Sequence, residues 1–172
     1  RDGYIQRIWA LEDSLEDKET PLVSCGFHHY FHGKLTKDDL DNISSERPIL
    51  IIHRSFHEFI MNSKALELFG IKKEDLKNLT LEEQKLANIE QGHFSERGLV
   101  VVMPKIMKYL AAPERLINGL EITEKYIQEQ GVTLIANPGA MYNKDIQNVK
   151  NYVLGDIDTP FKSLFIPSAL YM

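Results

Sequence analysis

Residues 48–70 constrain the fold of this chain more than any other stretch. Pro48 is followed by four aliphatic residues, Ile49, Leu50, Ile51 and Ile52. A short apolar run behind a proline reads as a strand buried on both faces, as in parallel sheets. Asn62 is placed to cap a helix whose apolar residues fall at Ala65, Leu66 and Phe69, and Gly70 is suited to end it. Between them lie His53, Arg54, Ser55 and His57. The expected unit is strand, loop, helix, with the histidines in the strand-end loop where α/β folds place their chemistry.

The flanking segments extend this α/β pattern. Residues 2–19 carry Tyr4, Ile5, Ile8, Trp9, Leu11 and Leu15 at helical spacing with acids on the other face, and Pro21 ends that helix. Residues 22–33 are short, aromatic and bounded by Gly26 and Gly33, which predicts an irregular strand or loop. Thr36 with Asp39 caps one helical turn through Leu40 and Ile43, and Thr80 with Glu83 forms a capping box opening a helix toward Ile89. Residues 91–98 read as a polar loop. Residues 99–103 suit helix or strand equally, and Pro104 is expected to split them from the segment that follows.

The last third has a clearer alternation. Pro113 suits a first helical position, with Leu116, Ile117, Leu120, Thr123 and Ile127 on one face before Gly131. Residues 132–136 form a strand, residues 143–155 a helix capped by Asn143 with Ile146, Val149 and Val153 inward, and residues 161–166 the next strand. Helix, strand, helix, strand with short links is the pattern of a parallel sheet with right-handed crossovers.

Composition narrows the function classes. Among 172 residues the net charge is −5 and no basic cluster occurs, which argues against nucleic acid or an anionic membrane surface as partner. The longest apolar runs fall far short of the roughly 20 residues that span a bilayer. A lone cysteine, Cys25, excludes an intrachain disulfide and a Cys-rich zinc site, and with no signal segment it suits the cytoplasm. The start at Arg1 and the apolar run at residues 165–172 give the expectation of a piece of a longer protein, whose unpaired strands would favour self-association.

The candidate chemistry is incomplete. His28, His29 and His32 invite a metal, but on a strand Tyr30, not a ligand, shares a face with His28, and the flanking glycines argue against a helix that would align His28 with His32. Either His53 closes its strand with a local hydrogen bond while His57 packs in the loop, or the two contact substrate or support a metal that other residues hold. The strand-end location favours a substrate pocket for His57, and Arg54 suits a carboxylate or solvent. His93, Ser95 and Glu96 make a compact acid/base group between Gly92 and Gly98 that also fits a solvated turn. Ser95 lacks the G-x-S-x-G turn of an activated nucleophile, and Cys25 is expected in the core. Neither a catalytic residue nor a metal ligand is assigned within the chain.

In order along the chain, Leu40-Asp41-Asn42-Ile43, Arg47-Pro48-Ile49, His57, Asn62-Ser63 with Ala65-Leu66, Gly70-Ile71 and Gly131-Val132-Thr133 form a series. That series resembles the middle of the metal-dependent amidohydrolases, in the N-substituted formamide deformylase-like branch. Residues 92–96 stand where that branch has a glycine-flanked segment ending in Glu, while its Gly-His pair is Phe56-His57 here. The resemblance implies a partial (β/α)8 barrel carrying a large, mostly helical insertion. Residues 1–112 would be that insertion, a lid after the first barrel strand, and residues 113–172 an α-β-α-β barrel segment. The activity implied for the full-length enzyme is hydrolysis of a non-peptide C–N bond, amide or formamide, in a small-molecule substrate. It would use a divalent metal, expected to be zinc, held by strands outside this chain. The fragment itself is then expected to hold no metal and to be inactive. His57, Arg54, Asn62, His93 and Glu96 are the residues expected at the substrate pocket or supporting the metal's ligands. Two other classes compete: a self-contained non-enzymatic α/β module binding a small ligand or partner protein through residues 27–32, and a hydrolase using Ser95 or Cys25.

Overall fold

The computed structural model describes residues 2–140 and 162–167. The chain divides into two compact units, Arg1–Tyr109 and Leu110–Met172. The first unit opens with helix α1 (Asp2–Ser14), strand β1 (Leu22–Phe27), the single turn α2 (His29–His32) and helix α3 (Lys37–Ile43). Strands β2 (Ile49–His53) and β3 (Glu58–Met61) and helix α4 (Ser63–Leu68) follow. After a 3-10 turn at Lys73–Asn78 come α5 (Leu81–Gln84), β4 (Ala87–Asn88), β5 (His93–Ser95) and α6 (Leu99–Leu110).

The five strands form one sheet in the order β1-β2-β3-β5-β4. β1 and β2 are parallel, and the remaining pairs are antiparallel. β2 is buried from Ile49 to Ile52, as a strand covered on both faces requires. Ile49 and Ile51 point with Ile60 to the side packed by Ile8, Leu22, Phe27, Leu35, Leu40 and Ile43. Leu50 and Ile52 alternate to the other face with their cross-strand partners Met61 and Phe59. α4 lies against β2 and β3.

Several sequence expectations give way here. The segment after β2 turns back as an antiparallel hairpin through residues 54–57, so β3 stands where a loop is expected. That turn contains no glycine: Phe56 takes the left-handed backbone at φ 60°, which hides it from turn signals. The His28–His32 turn is helical, against the expectation drawn from Gly26 and Gly33; both glycines have positive φ and flank it, with Gly26 at a bulge in β1. α1 stops at Ser14, well before Pro21, and it turns Glu12 inward while Trp9 and Leu11 face out. The reason is Arg47, which is fully buried: its Nη1 and Nη2 donate to the carbonyls of Thr20 and Leu15, and its Nε lies 3.5 Å from Glu12 Oε1.

The capping box at Thr80 and Glu83 forms, but its helix ends at Gln84 and the chain continues as β4, not toward Ile89 as helix. Residues 91–98 are not all loop, since β5 runs through them. Pro104 does not split α6, which passes through it. The carbonyl four residues earlier belongs to the exposed Val100, where solvent can replace the missing N–H. A mostly helical region is thus a mixed sheet flanked by helices.

In the second unit, α7 (Pro113–Glu129) begins at the predicted proline. Strand β6 (Leu134–Ala140) pairs in parallel with β7 (Lys162–Pro167), as expected, though β6 continues past Pro138. The expected helix of residues 143–155 lies outside the described residues. No helix among the described residues is long and apolar enough to cross a membrane.

A histidine-rich candidate site at one end of the sheet

Strand direction gathers the chemistry at one end of the first unit. β1 and β2 are parallel, so Phe27 and His53 sit side by side in register. β3 starts at that end with Glu58, and β5 finishes there, with Ser95 opposite Glu58. The six histidines of the chain gather here: His28 caps α2, His29 and His32 lie on it, His53 ends β2, His57 lies in the hairpin turn, and His93 reaches Glu58 from the start of β5.

Glu58 is the centre of the group. His93 Nε2 lies 2.6 Å from its Oε1, and His29 Nε2 lies 2.7 Å from the same oxygen. Burial alone would push the carboxyl upward, but hydrogen bonds from the two imidazoles outweigh it and hold Glu58 at about 2. Glu58 is therefore an ionised acceptor at any physiological pH. The rings of His28 and His29 pack on His53 at 4.9 and 5.6 Å, and His32 stacks on Tyr4 at 4.6 Å. Burial keeps both His32 and His53 below the ordinary imidazole value. His53 closes its strand as expected, accepting from Ser55 at Nδ1.

His57 and Glu96 form a second pair. His57 Nδ1 is 3.1 Å from Glu96 Oε2, and the Glu96 N–H donates to the His57 carbonyl at 2.9 Å. Glu96 holds this position with a left-handed backbone, φ 46°, a conformation that costs a non-glycine residue energy and recurs at functional sites. The pairing uses Nδ1 of a His57 side chain that is 65 % exposed.

Of the five residues expected at a pocket, the structure brings four to this end: His57 with Glu96, Arg54 in the same exposed hairpin turn, and His93 through Glu58. Asn62 is not among them. It follows the far end of β3, is fully buried, and uses its amide on backbone. Its Oδ1 accepts from Ile49 and Ala65, and its Nδ2 donates to the carbonyls of Ser44 and Arg47. Glu58 carries no signal in the sequence, because the four-residue strand that holds it carries none. Cys25, expected in the core, is exposed on the edge strand β1. Among the described residues no three His, Cys, Asp or Glu side chains converge to hold a metal ion.

No protein-family model and no curated protein sequence matches the chain. Two solved structures share its fold. One is an uncharacterized metal-dependent hydrolase from Pyrococcus horikoshii OT3, with a TM-score of 0.66 at 15% identity, over 95% of this chain and 31% of that one. The other is an uncharacterized metal-dependent hydrolase from Pyrococcus furiosus, with a TM-score of 0.61 at 18% identity, over 94% of this chain and 32% of that one. The chain thus spans about a third of the length of these structures.

Proposed function

We propose that this chain forms part of a metal-dependent hydrolase that cleaves a non-peptide C–N bond, an amide or formamide, in a small molecule. The observation that carries the reading is the fold match, which uses nearly all of this chain and under a third of each hydrolase. The ordered motif series supports the amidohydrolase branch and a partial (β/α)8 barrel, with residues 1–112 as a lid and residues 113–172 as barrel wall. The described residues do not fit a metal centre, so its ligands are assigned to other parts of such an enzyme and no step is routed through it here.

What this chain contributes is proton handling and orientation. Cleaving a C–N bond requires a proton on the departing nitrogen, and an imidazole whose Nδ1 is held by a carboxylate offers Nε2 for that transfer. His57 with Glu96 has this arrangement, and the exposed Arg54 beside it is placed to hold a substrate oxygen. Glu58 fixes the ring of His93 at the same end.

The coding sequence on either side of these residues tests the reading. A His-x-His strand upstream and further histidines and an aspartate downstream support it; a start codon just before Arg1 with a stop after Met172 overturns it. A second check uses the 172-residue chain alone. Stoichiometric zinc by elemental analysis, together with turnover of an N-formyl or amide substrate, would show that the metal site lies within it.

A further inference from the structure

Three imidazoles at the histidine end accept backbone hydrogen bonds at Nδ1. His28 Nδ1 takes the N–H of Tyr30 at 3.0 Å, which makes His28 the N-cap of α2. His32 Nδ1 takes the N–H of His28 at 3.0 Å, closing the same turn from its other end. His53 Nδ1 takes the N–H of Ser55 at 3.2 Å. A nitrogen that accepts carries no proton, so these rings are neutral with their hydrogen on Nε2. A second proton would have to enter at Nδ1, where it would abolish the acceptor and set N–H against N–H.

We infer that α2 is a proton-operated latch: it is closed while His28 and His32 are neutral and opens when either ring takes a proton at Nδ1. Beside these bonds the turn has its own backbone bonds, from the His32 and Gly33 N–H groups to the carbonyls of His28 and His29, and ring packing of His28 and His29 on His53 and of His32 on Tyr4. Four residues are too few for a helix to be stable by itself, none of them is buried, and Tyr30 and Phe31 are 84% and 63% exposed. His29 also ties the turn to the sheet through its Nε2 bond to Glu58, which does not use either Nδ1 acceptor. Opening therefore pivots the turn about His29 while Tyr30 and Phe31 leave their places.

The surrounding charges set the balance. Arg7 on α1 opposes a cation on His32, and so does His28. Arg54, His28 and His29 oppose one on His53, while Glu58 on β3 favours it. His93 on β5 shares that carboxylate. Burial is the largest influence on His32 and lowers it below the ordinary imidazole value of 6.5.

The test is an NMR pH titration of the 15N-labelled 172-residue chain between about pH 7.5 and pH 5, a window spanning imidazole protonation. Protection of the Tyr30 and His28 amides from exchange, corrected for the intrinsic rate, is expected to fall by about tenfold, with Leu50 and Ile60 unchanged. The double variant His28→Asn, His32→Gln replaces both titrating acceptors with amide oxygens that do not titrate, so its Tyr30 amide is expected to hold its protection at both ends of the range. A Tyr30 amide that is insensitive to pH in the parent chain, or equally sensitive in the double variant, overturns the latch. If the variant does not fold, the ring nitrogens of the parent decide. A Tyr30 amide midpoint that coincides with that of His28 Nδ1 or of His32 Nδ1 upholds the latch, and one separated from both overturns it.

Discussion

At the residue scale, two side chains carry more than their sequence context reveals. Asn62 was legible as a helix cap, because an Asn before Ser63, Ala65 and Leu66 is a cap signal. Its other three bonds, to Ile49, Ser44 and Arg47, join segments that no local pattern connects. Asn62→Ala is expected to cost about 3 kcal/mol, since it strands buried backbone donors and acceptors at once; urea unfolding measures it. Glu58 was not legible, because its strand is four residues long and follows a turn without glycine. Its folded carboxyl lies at about 2 against an ordinary 4.5. Such a depressed group adds stability that is complete above the ordinary value and lost as pH falls toward 2. Thermal melts of Glu58→Gln should therefore lie below those of the parent at neutral pH, and the two should converge between pH 4.5 and 2. Parallel curves across that window would mean that the His29 and His93 bonds contribute nothing.

At the element scale, what the sequence announced was ends more than interiors. The capping box at Thr36 and Asp39 and the proline start of α7 stand where their residues place them. The short strands β4 and β5 did not show, since two or three residues cannot display an alternation. Their position is set instead by close backbone approach. A Cβ on Gly98 would lie 2.1 Å from the Leu86 carbonyl oxygen, and one on Gly92, where φ is +59°, would lie 2.1 Å from that of Met61. Both obstacles are backbone, which cannot swing aside. Gly98→Ala is accordingly expected to destabilise by about 3 kcal/mol or more. Gly119→Ala, inside α7 with no described atom within 4 Å of the new Cβ, is expected to raise helix stability by about 0.5–1 kcal/mol. Denaturation midpoints for the first and helical ellipticity for the second check the pair.

At the scale of the whole molecule, the two units differ in how far each can satisfy itself. The first holds a five-stranded sheet with buried residues on both faces, and its buried guanidinium is matched by Glu12 and two carbonyls. In the second, the described sheet is one parallel pair, β6 with β7. Parallel sheets are stable when neighbours cover their edges and faces, and a two-stranded one is far from that condition. Ile122 and Tyr126 on α7, with Val132 and Leu134 after it, are large apolar side chains left exposed. Residues 1–110 alone are therefore expected to fold with one cooperative transition and to remain monomeric. The 172-residue chain is expected to associate as its concentration rises, through the surface of the second unit. Sedimentation of the two side by side separates the alternatives. Association that survives removal of residues 111–172 would move the sticky surface to the first unit, most directly to the exposed Tyr30 and Phe31 of α2. Loss of the cooperative transition on removal would mean that the first core is completed by the second unit and is not self-contained.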